Sequence, residues 1–192
     1  MLKKMERVME IHKPFCLWIY GKPNSGKTTL SYELLQDKIR NCVLIDGDQY
    51  REYVETNLKF SKNDILKNNL SAANLVNFLM KQGFNVIVAM VTPYAEGRGI
   101  IENTIVGDKY FIWLDASRTV RSSRPNFRDE NSVFECSEHY DIWANTETVN
   151  KEVLKVKVYE MLKQRKNISW KLKDKENFID EETEEKIKEI EK

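Results

Sequence analysis

Residues 21–28 read Gly21-Lys22-Pro23-Asn24-Ser25-Gly26-Lys27-Thr28, which satisfies G-x4-G-K-[ST]. The apolar run Phe15-Cys16-Leu17-Trp18-Ile19-Tyr20 comes directly before it and the helix-like Thr29-Leu30-Ser31-Tyr32-Glu33-Leu34-Leu35 directly after. Strand, glycine loop and helix in that order confine the chain to an α/β sheet whose first strand delivers a phosphate-binding loop. Glycines let the backbone bend so that successive N–H groups point inward at a phosphate chain, and the helix that starts there adds its positive end. In such a loop Lys27 reaches the β and γ phosphates of ATP, and the Thr28 hydroxyl ligates Mg²⁺. Gly21, Asn24, Ser25, Gly26, Lys27, Thr28 and Thr29 are therefore the candidate nucleotide-binding residues.

Apolar runs alternate with helical patterns along the rest of the chain, the mark of a parallel sheet covered on both faces. Strands are expected at about 14–20, 42–46, 85–91, 109–114 and 140–144, and helices at about 27–39, 62–82, 95–105 and 149–164. Within the helix at 62–82, Ile65, Leu66, Leu70, Ala73, Leu75, Val76, Phe78 and Leu79 recur at helical spacing and read as core, and Gly83 supplies the stop. The fold class is α/β, in three layers with a five-stranded parallel sheet.

One domain absorbs most of the 192 residues, because 41% hydrophobic content fills one substantial core and would be thin for two. Thirty-one basic against thirty acidic residues leave a formal charge of +1, so no global field draws the protein to nucleic acid or to an anionic membrane. Cys16, Cys42 and Cys136 lack C-x-x-C spacing and read as reduced core thiols. The charged N-terminus and the short apolar run behind it fit neither a membrane span nor a secretory signal, and a cytoplasmic location is expected. The domain is placed at 1–164. After Arg165 the composition turns Lys/Glu-rich, with Phe178, Ile179, Ile187 and Ile190 as a thin apolar stripe. Residues 165–192 are expected to be a charged appendage, helical or disordered, or a short dimer contact.

The second strand runs into Ile45-Asp46-Gly47-Asp48-Gln49-Tyr50-Arg51. Strand C-termini line the ligand crevice of an α/β sheet. Two carboxylates around one glycine, with an arginine a short turn later, suit hydrated Mg²⁺, an acceptor hydroxyl and the acceptor's phosphate; the alternative is an Asx-type turn with a surface salt bridge. The GTPase markers D-x-x-G and N-K-x-D are missing, which puts a small-molecule kinase ahead of a GTPase switch.

At these residues the chain resembles the adenylylsulfate (APS) kinases. That family carries a P-loop, then L-D-G-D-x-x-R, then G-F-S with D-R-x-E-N, then an apolar strand ending I-S-P-Y. The matching stations are Gly21 to Thr28, Ile45 to Arg51, Lys59-Phe60-Ser61 with Asp64 and Asn68, and Val86 to Tyr94 followed by Arg98. The resemblance covers about 15–150 and implies a P-loop kinase fold, with transfer of the γ-phosphate of ATP to the ribose 3′-hydroxyl of APS. It implies that Asp48, Arg51 and Asn68 hold the acceptor nucleotide, that Phe60 stacks on its base, and that Thr92 and Pro93, with Arg98 nearby, line its pocket. It also implies a homodimer.

Two departures stand out. Where the family has the arginine of D-R-x-E-N, which grips the acceptor's phosphosulfate, this chain has Ile65; one lost charge-assisted contact costs about 1.5–3 kcal/mol. The family's lid motifs R-D-x-K-G-L-Y and G-F-T-G are also absent from the lid region, about 117–137, so the second aromatic wall of the acceptor base pocket has no assigned match. In their place Arg118, Arg121, Arg124 and Arg128 fall within eleven residues, either as a clamp on the transferring phosphoryl group or as an exposed basic loop.

Catalysis by such a site is positioning and charge neutralisation. Lys27 is assigned to the β/γ bridge, Thr28 and Asp46 to the metal, and Asp46 or Asp48 to the hydroxyl proton. His12 and His139 stand apart from every motif, no Cys/His cluster suits zinc, and Trp18, Trp113 and Trp143 read as core. Three readings follow: a relative with another 5′-activated nucleotide as acceptor, such as the cytidine diphosphoramidate kinases of bacterial capsule assembly, a true APS kinase, or a nucleotide-binding regulator; Ile65 and the recast lid put the first ahead, with APS expected to be a poor substrate. Intact Lys27, Thr28, Asp46 and Asp48 argue against the last.

Overall fold

A computed structural model describes residues 13–36, 39, 41–125, 127 and 133–164. His12, Arg128 and the segment 165–192 lie outside the described residues. Five strands, β1 (Phe15–Tyr20), β2 (Cys42–Asp46), β3 (Asn85–Met90), β4 (Asp108–Asp115) and β5 (Ile142–Asn145), form one parallel sheet in the order β2-β3-β1-β4-β5. Six helices accompany them: α1 (Lys27–Gln36), α2 (Gly47–Tyr53), α3 (Lys62–Lys81), α4 (Ala95–Thr104), α5 (Arg118–Ser123) and α6 (Lys151–Gln164). This is the expected three-layer α/β architecture.

The central strands are buried on both faces, which is why β1 and β3 read as unbroken apolar runs rather than as alternations. On one face Cys16, Trp18, Tyr20, Val86 and Val88 pack against Ala72, Ala73 and Val76 of α3 and Ile101 of α4. On the other, Leu17, Ile19, Ile87, Ile112 and Leu114 pack against Leu30 and Leu34 of α1 and Leu154, Val158 and Leu162 of α6. β1 and β3 are neighbours, yet the chain leaves β1 for one face and β3 for the other. Their C-terminal ends therefore part and open a crevice at this switch of direction. Among the described residues no helix is long and apolar enough to cross a membrane.

Four expectations are corrected. Leu70 and Phe78 are not core: they are 40% and 60% exposed, because the apolar stripe of α3 is wider than the face it buries. Trp143 is not core: it is 48% exposed, because β5 is the edge strand and no helix of the α3/α4 layer reaches over it. Cys136 is likewise exposed, since it lies in the irregular segment before β5, whereas Cys16 is buried and Cys42 partly so. Helices α2 and α5 occupy stretches for which no helix is expected. Each starts at a side-chain cap: Asp46 accepts from the N–H groups of Asp48 and Gln49, and the Ser117 hydroxyl accepts from that of Val120.

Candidate active site

The loop leaving β1 has no room for side chains at its first turn. A Cβ on Gly21 would overlap the carbonyl oxygen of Leu114 on the adjacent strand, and Asn24 and Gly26 both take positive φ, 59° and 98°. The loop then closes on itself, with Ser25 N–H on the Lys22 carbonyl at 3.2 Å and Lys27 Nζ donating to the same carbonyl at 2.8 Å. Ser25 Oγ, fully buried, has no hydrogen-bond partner. A buried orphan hydroxyl inside a nest of N–H groups at the start of α1 is a fit for a bound phosphate chain. Thr28 and Thr29 follow on the exposed side of the first turn.

Across the crevice, at the end of β2, Asp46 does two things at once. Its Oδ1 caps α2, with Asp48 N–H at 3.0 Å, and its Oδ2 accepts from the Thr28 hydroxyl at 2.9 Å. The donor set suits Mg²⁺: a hydroxyl and a carboxylate side by side, with phosphate oxygens supplied by the nucleotide. Among the described residues no group of three or more His, Cys, Asp or Glu side chains makes a separate metal site. Asp48 lies exposed on the first turn of α2 and is not tied to Thr28.

The expected acceptor residues fall into two groups. Arg51, near the end of α2, donates through Nη1 to the carbonyls of Leu58 and Lys59 at 3.3 and 2.7 Å, and its guanidinium lies 4.6 Å over the ring of Phe60, which is 68% exposed. Asn68 is buried on α3, its Oδ1 without a partner, beside Asn69, whose Nδ2 also lacks one. Thr92 and Pro93 are buried at the end of β3, where the Thr92 hydroxyl accepts from Trp18 Nε1 at 3.0 Å. Arg98 contacts this group only through the Thr92 carbonyl. It spends its guanidinium on the carbonyls of Thr92, Glu135 and Cys136 at 2.9, 3.0 and 2.8 Å, strapping the segment before β5 onto α4. Burial draws its pKa down from the ordinary arginine value.

Two arginines of the lid region, Arg121 and Arg124, face the P-loop. Arg121, buried, donates to the carbonyl of Pro23 at 3.3 Å and lies 6.0 Å from the ring of Phe127. Arg124 donates to the Asn24 carbonyl at 2.7 Å and to the Thr146 hydroxyl at 3.2 Å, and Thr146 in turn donates to the Ser25 carbonyl at 3.0 Å. Arg118 is exposed. Beneath Arg124 a cleft of about 240 Å³ runs between Gly26, Thr29, Leu114, Thr146 and Val149.

Residues 13–142 match the family described as adenylylsulphate kinase. The chain belongs to that family. A curated adenylyl-sulfate kinase of Deinococcus deserti is 28% identical over 151 residues, covering 70% of this chain and 83% of that one. The adenylyl-sulfate kinase of Bacillus licheniformis is 26% identical over 102 residues, 52% of each, so the chain spans about half the length of that relative. Of solved structures, the Mycobacterium tuberculosis APS kinase in complex with AMPPNP and APS superposes with a TM-score of 0.70 at 20% identity, over 79% of this chain and 99% of that one. The hexameric APS kinase from Thiobacillus denitrificans gives 0.65 at 20% identity, over 82% of this chain and 30% of that one. These likenesses show the P-loop kinase fold.

Two features of this family member escape a reading of the sequence alone. Thr146, past the end of β5, joins Arg124 to the P-loop, and its only signal is its place after a strand end. Phe127 is the aromatic residue that the lid region brings against Arg121, and its signal is one ring in an otherwise polar stretch.

Proposed function

We propose that this protein is an ATP-dependent kinase that transfers the γ-phosphoryl group to the ribose 3′-hydroxyl of a small 5′-activated nucleotide. The observation that carries the reading is the 2.9 Å contact between Thr28 and Asp46, which couples the P-loop to a carboxylate at the end of β2, on the far side of β3. ATP would lie along the P-loop N–H groups with Lys27 at the β/γ bridge and its base in the cleft beneath Arg124. Thr28 and Asp46 would hold Mg²⁺, which would supply charge neutralisation on the phosphates. Asp46 is committed to Thr28 and to two N–H groups, which favours Asp48 as the group that accepts the hydroxyl proton. Arg51, Phe60, Asn68, Thr92 and Pro93 form the acceptor side, and the orphan Oδ1 of Asn68 supports its use by a ligand. A cytoplasmic location accords with such a substrate, and a homodimer is the assembly proposed.

Adenylyl sulfate is the acceptor with the most support, because the curated relatives are adenylyl-sulfate kinases. Cytidine diphosphoramidate is the second reading and rests on Ile65, which removes a cation where the family grips a phosphosulfate. The deciding measurement is kcat/KM with ATP across adenylyl sulfate, cytidine diphosphoramidate and plain nucleoside diphosphates, repeated with Ile65→Arg. Adenylyl sulfate is expected to be turned over and to gain roughly tenfold to a hundredfold from the arginine. Preference for the cytidine compound by more than the lost arginine explains would move the assignment to the second reading. Phosphorus NMR of the product tests the chemistry, since a new 5′-side phosphate would refute the 3′-hydroxyl as acceptor.

A further inference from the structure

Between α2 and α3 the chain crosses residues 54–61 with no strand or long helix to hold it, yet this loop carries Phe60 and supplies the carbonyls on which Arg51 rests. A chain of three side chains from three elements holds it. Ser71 on α3 donates its hydroxyl to Glu55 Oε1 in the loop, and its Oγ stands 2.9 Å from the Tyr50 hydroxyl on α2. A serine hydroxyl has one hydrogen, and with that hydrogen on Glu55 the Tyr50 O–H must be the donor to Ser71. The result is a directed relay, Tyr50 to Ser71 to Glu55, that ends on a carboxylate, where a hydrogen bond is strongest. The backbone closes the same circuit: Glu55 N–H donates to the Tyr50 carbonyl at 3.1 Å and Leu58 N–H to the Glu55 carbonyl at 3.2 Å.

Ser71 is a firm anchor, because the next residues on α3, Ala72 and Ala73, are fully buried in the core. Glu55 passes that firmness to Leu58, and Leu58 passes it to Arg51. We propose that Ser71 and Glu55 are positioning residues for the acceptor, holding the 54–60 loop so that Arg51 and Phe60 stand ready before the nucleotide arrives. The proposal rests on the kinase reading above, in which Arg51 and Phe60 bind the acceptor. Neither Ser71 nor Glu55 touches the reacting atoms. A loop that must be ordered during binding weakens binding and leaves the chemical step alone.

The test compares Ser71→Ala and Ser71→Thr with the wild type, using KM for adenylyl sulfate, KM for ATP, kcat, and hydrogen exchange of the loop amides. Ser71→Ala is expected to raise the acceptor KM about tenfold, the size of one hydrogen bond to a charged group. The ATP KM and kcat should hold, and Ser71→Thr, which keeps the hydroxyl, should restore the acceptor KM. Amides at 55–60 should exchange faster in Ser71→Ala while those of Ala72 to Met80 do not. An unchanged acceptor KM, an equal rise in both KM values, or unaltered exchange at 55–60 would overturn the relay alone. A wild-type protein with no acceptor-dependent turnover would instead refute the kinase reading, and the positioning role with it.

Discussion

The Thr28 hydroxyl donates to Asp46 Oδ2 while Asp46 Oδ1 caps α2, so one carboxylate joins the phosphate loop to the helix that carries Asp48 and Arg51. Charge and capping are separable here. Asp46→Asn keeps an oxygen for the cap, asparagine being as good an N-cap as aspartate, and removes the negative charge. Turnover is expected to fall at least a hundredfold with a raised Mg²⁺ requirement, while the midpoint of urea unfolding moves by less than about 1 kcal/mol equivalent. Asp46→Ala should lose both. Near-normal turnover by a folded Asp46→Asn protein would remove Asp46 from the metal side of the site.

Arg124 holds the carbonyl of Asn24 and the hydroxyl of Thr146 and overhangs the cleft assigned to the donor base. Arg124→Ala should raise KM for ATP about tenfold, since three hydrogen bonds from a cation are lost and the P-loop loses its outer support. The acceptor KM should stay as it is. Equal effects on both substrates, read from initial rates with each varied in turn, would assign Arg124 to the transferring phosphoryl group instead.

Arg98 is expected to act on stability rather than on acceptor affinity. Its guanidinium satisfies three carbonyls, so Arg98→Ala should destabilise by about 3 kcal/mol or more in urea unfolding. Arg98→Lys should recover only part of that, because an ammonium cannot span the same fork. A raised acceptor KM with unaltered stability would return Arg98 to the acceptor pocket.

The three thiols should separate by reactivity. Burial pushes the Cys42 thiol up to about 12, and burial raises Cys16 further still, so at pH 8 both stay protonated and unreactive, while Cys136 is exposed. The sign follows from burial disfavouring the thiolate: raising the pH from 7 to 9 leaves both core thiols below their titration range. Iodoacetamide at pH 8 should add one label per folded chain, at Cys136, and denaturant should expose the other two. Peptide mapping by mass spectrometry checks this, and comparable labelling of Cys16 in the folded protein would contradict it.

The parts legible in the sequence are those governed by local pattern. The apolar runs of β1 and β3, the glycine loop and the long periodic α3 announce themselves, because each follows from burial or from backbone freedom within a few residues. The helix at α5 is six residues of Arg, Thr, Val and Ser with Ser117 as its one start signal, and it forms because Arg121 and Arg124 reach partners about a hundred residues earlier in the chain. No local rule predicts such a partner. Trp143 misleads for the opposite reason: its side chain is apolar and its strand real, but edge position, a property of the whole sheet, leaves it uncovered. Asp46 and Asp48 are legible as a pair and not as individuals, since only the fold shows that one is committed to Thr28.

The central place of β1 carries a consequence for synthesis. The P-loop is made before either neighbour of β1, but Phe15 N–H, at the start of the strand that aims it, waits for a carboxamide 70 residues onward at Asn85, and the flanking Lys13 for a carboxylate 95 residues onward at Asp108. A ribosome therefore releases a loop with the right residues and no geometry, and a nascent chain stopped before β4 should hold no nucleotide. In this protein a loop made ahead of β3 and β4 becomes a binding site only after them.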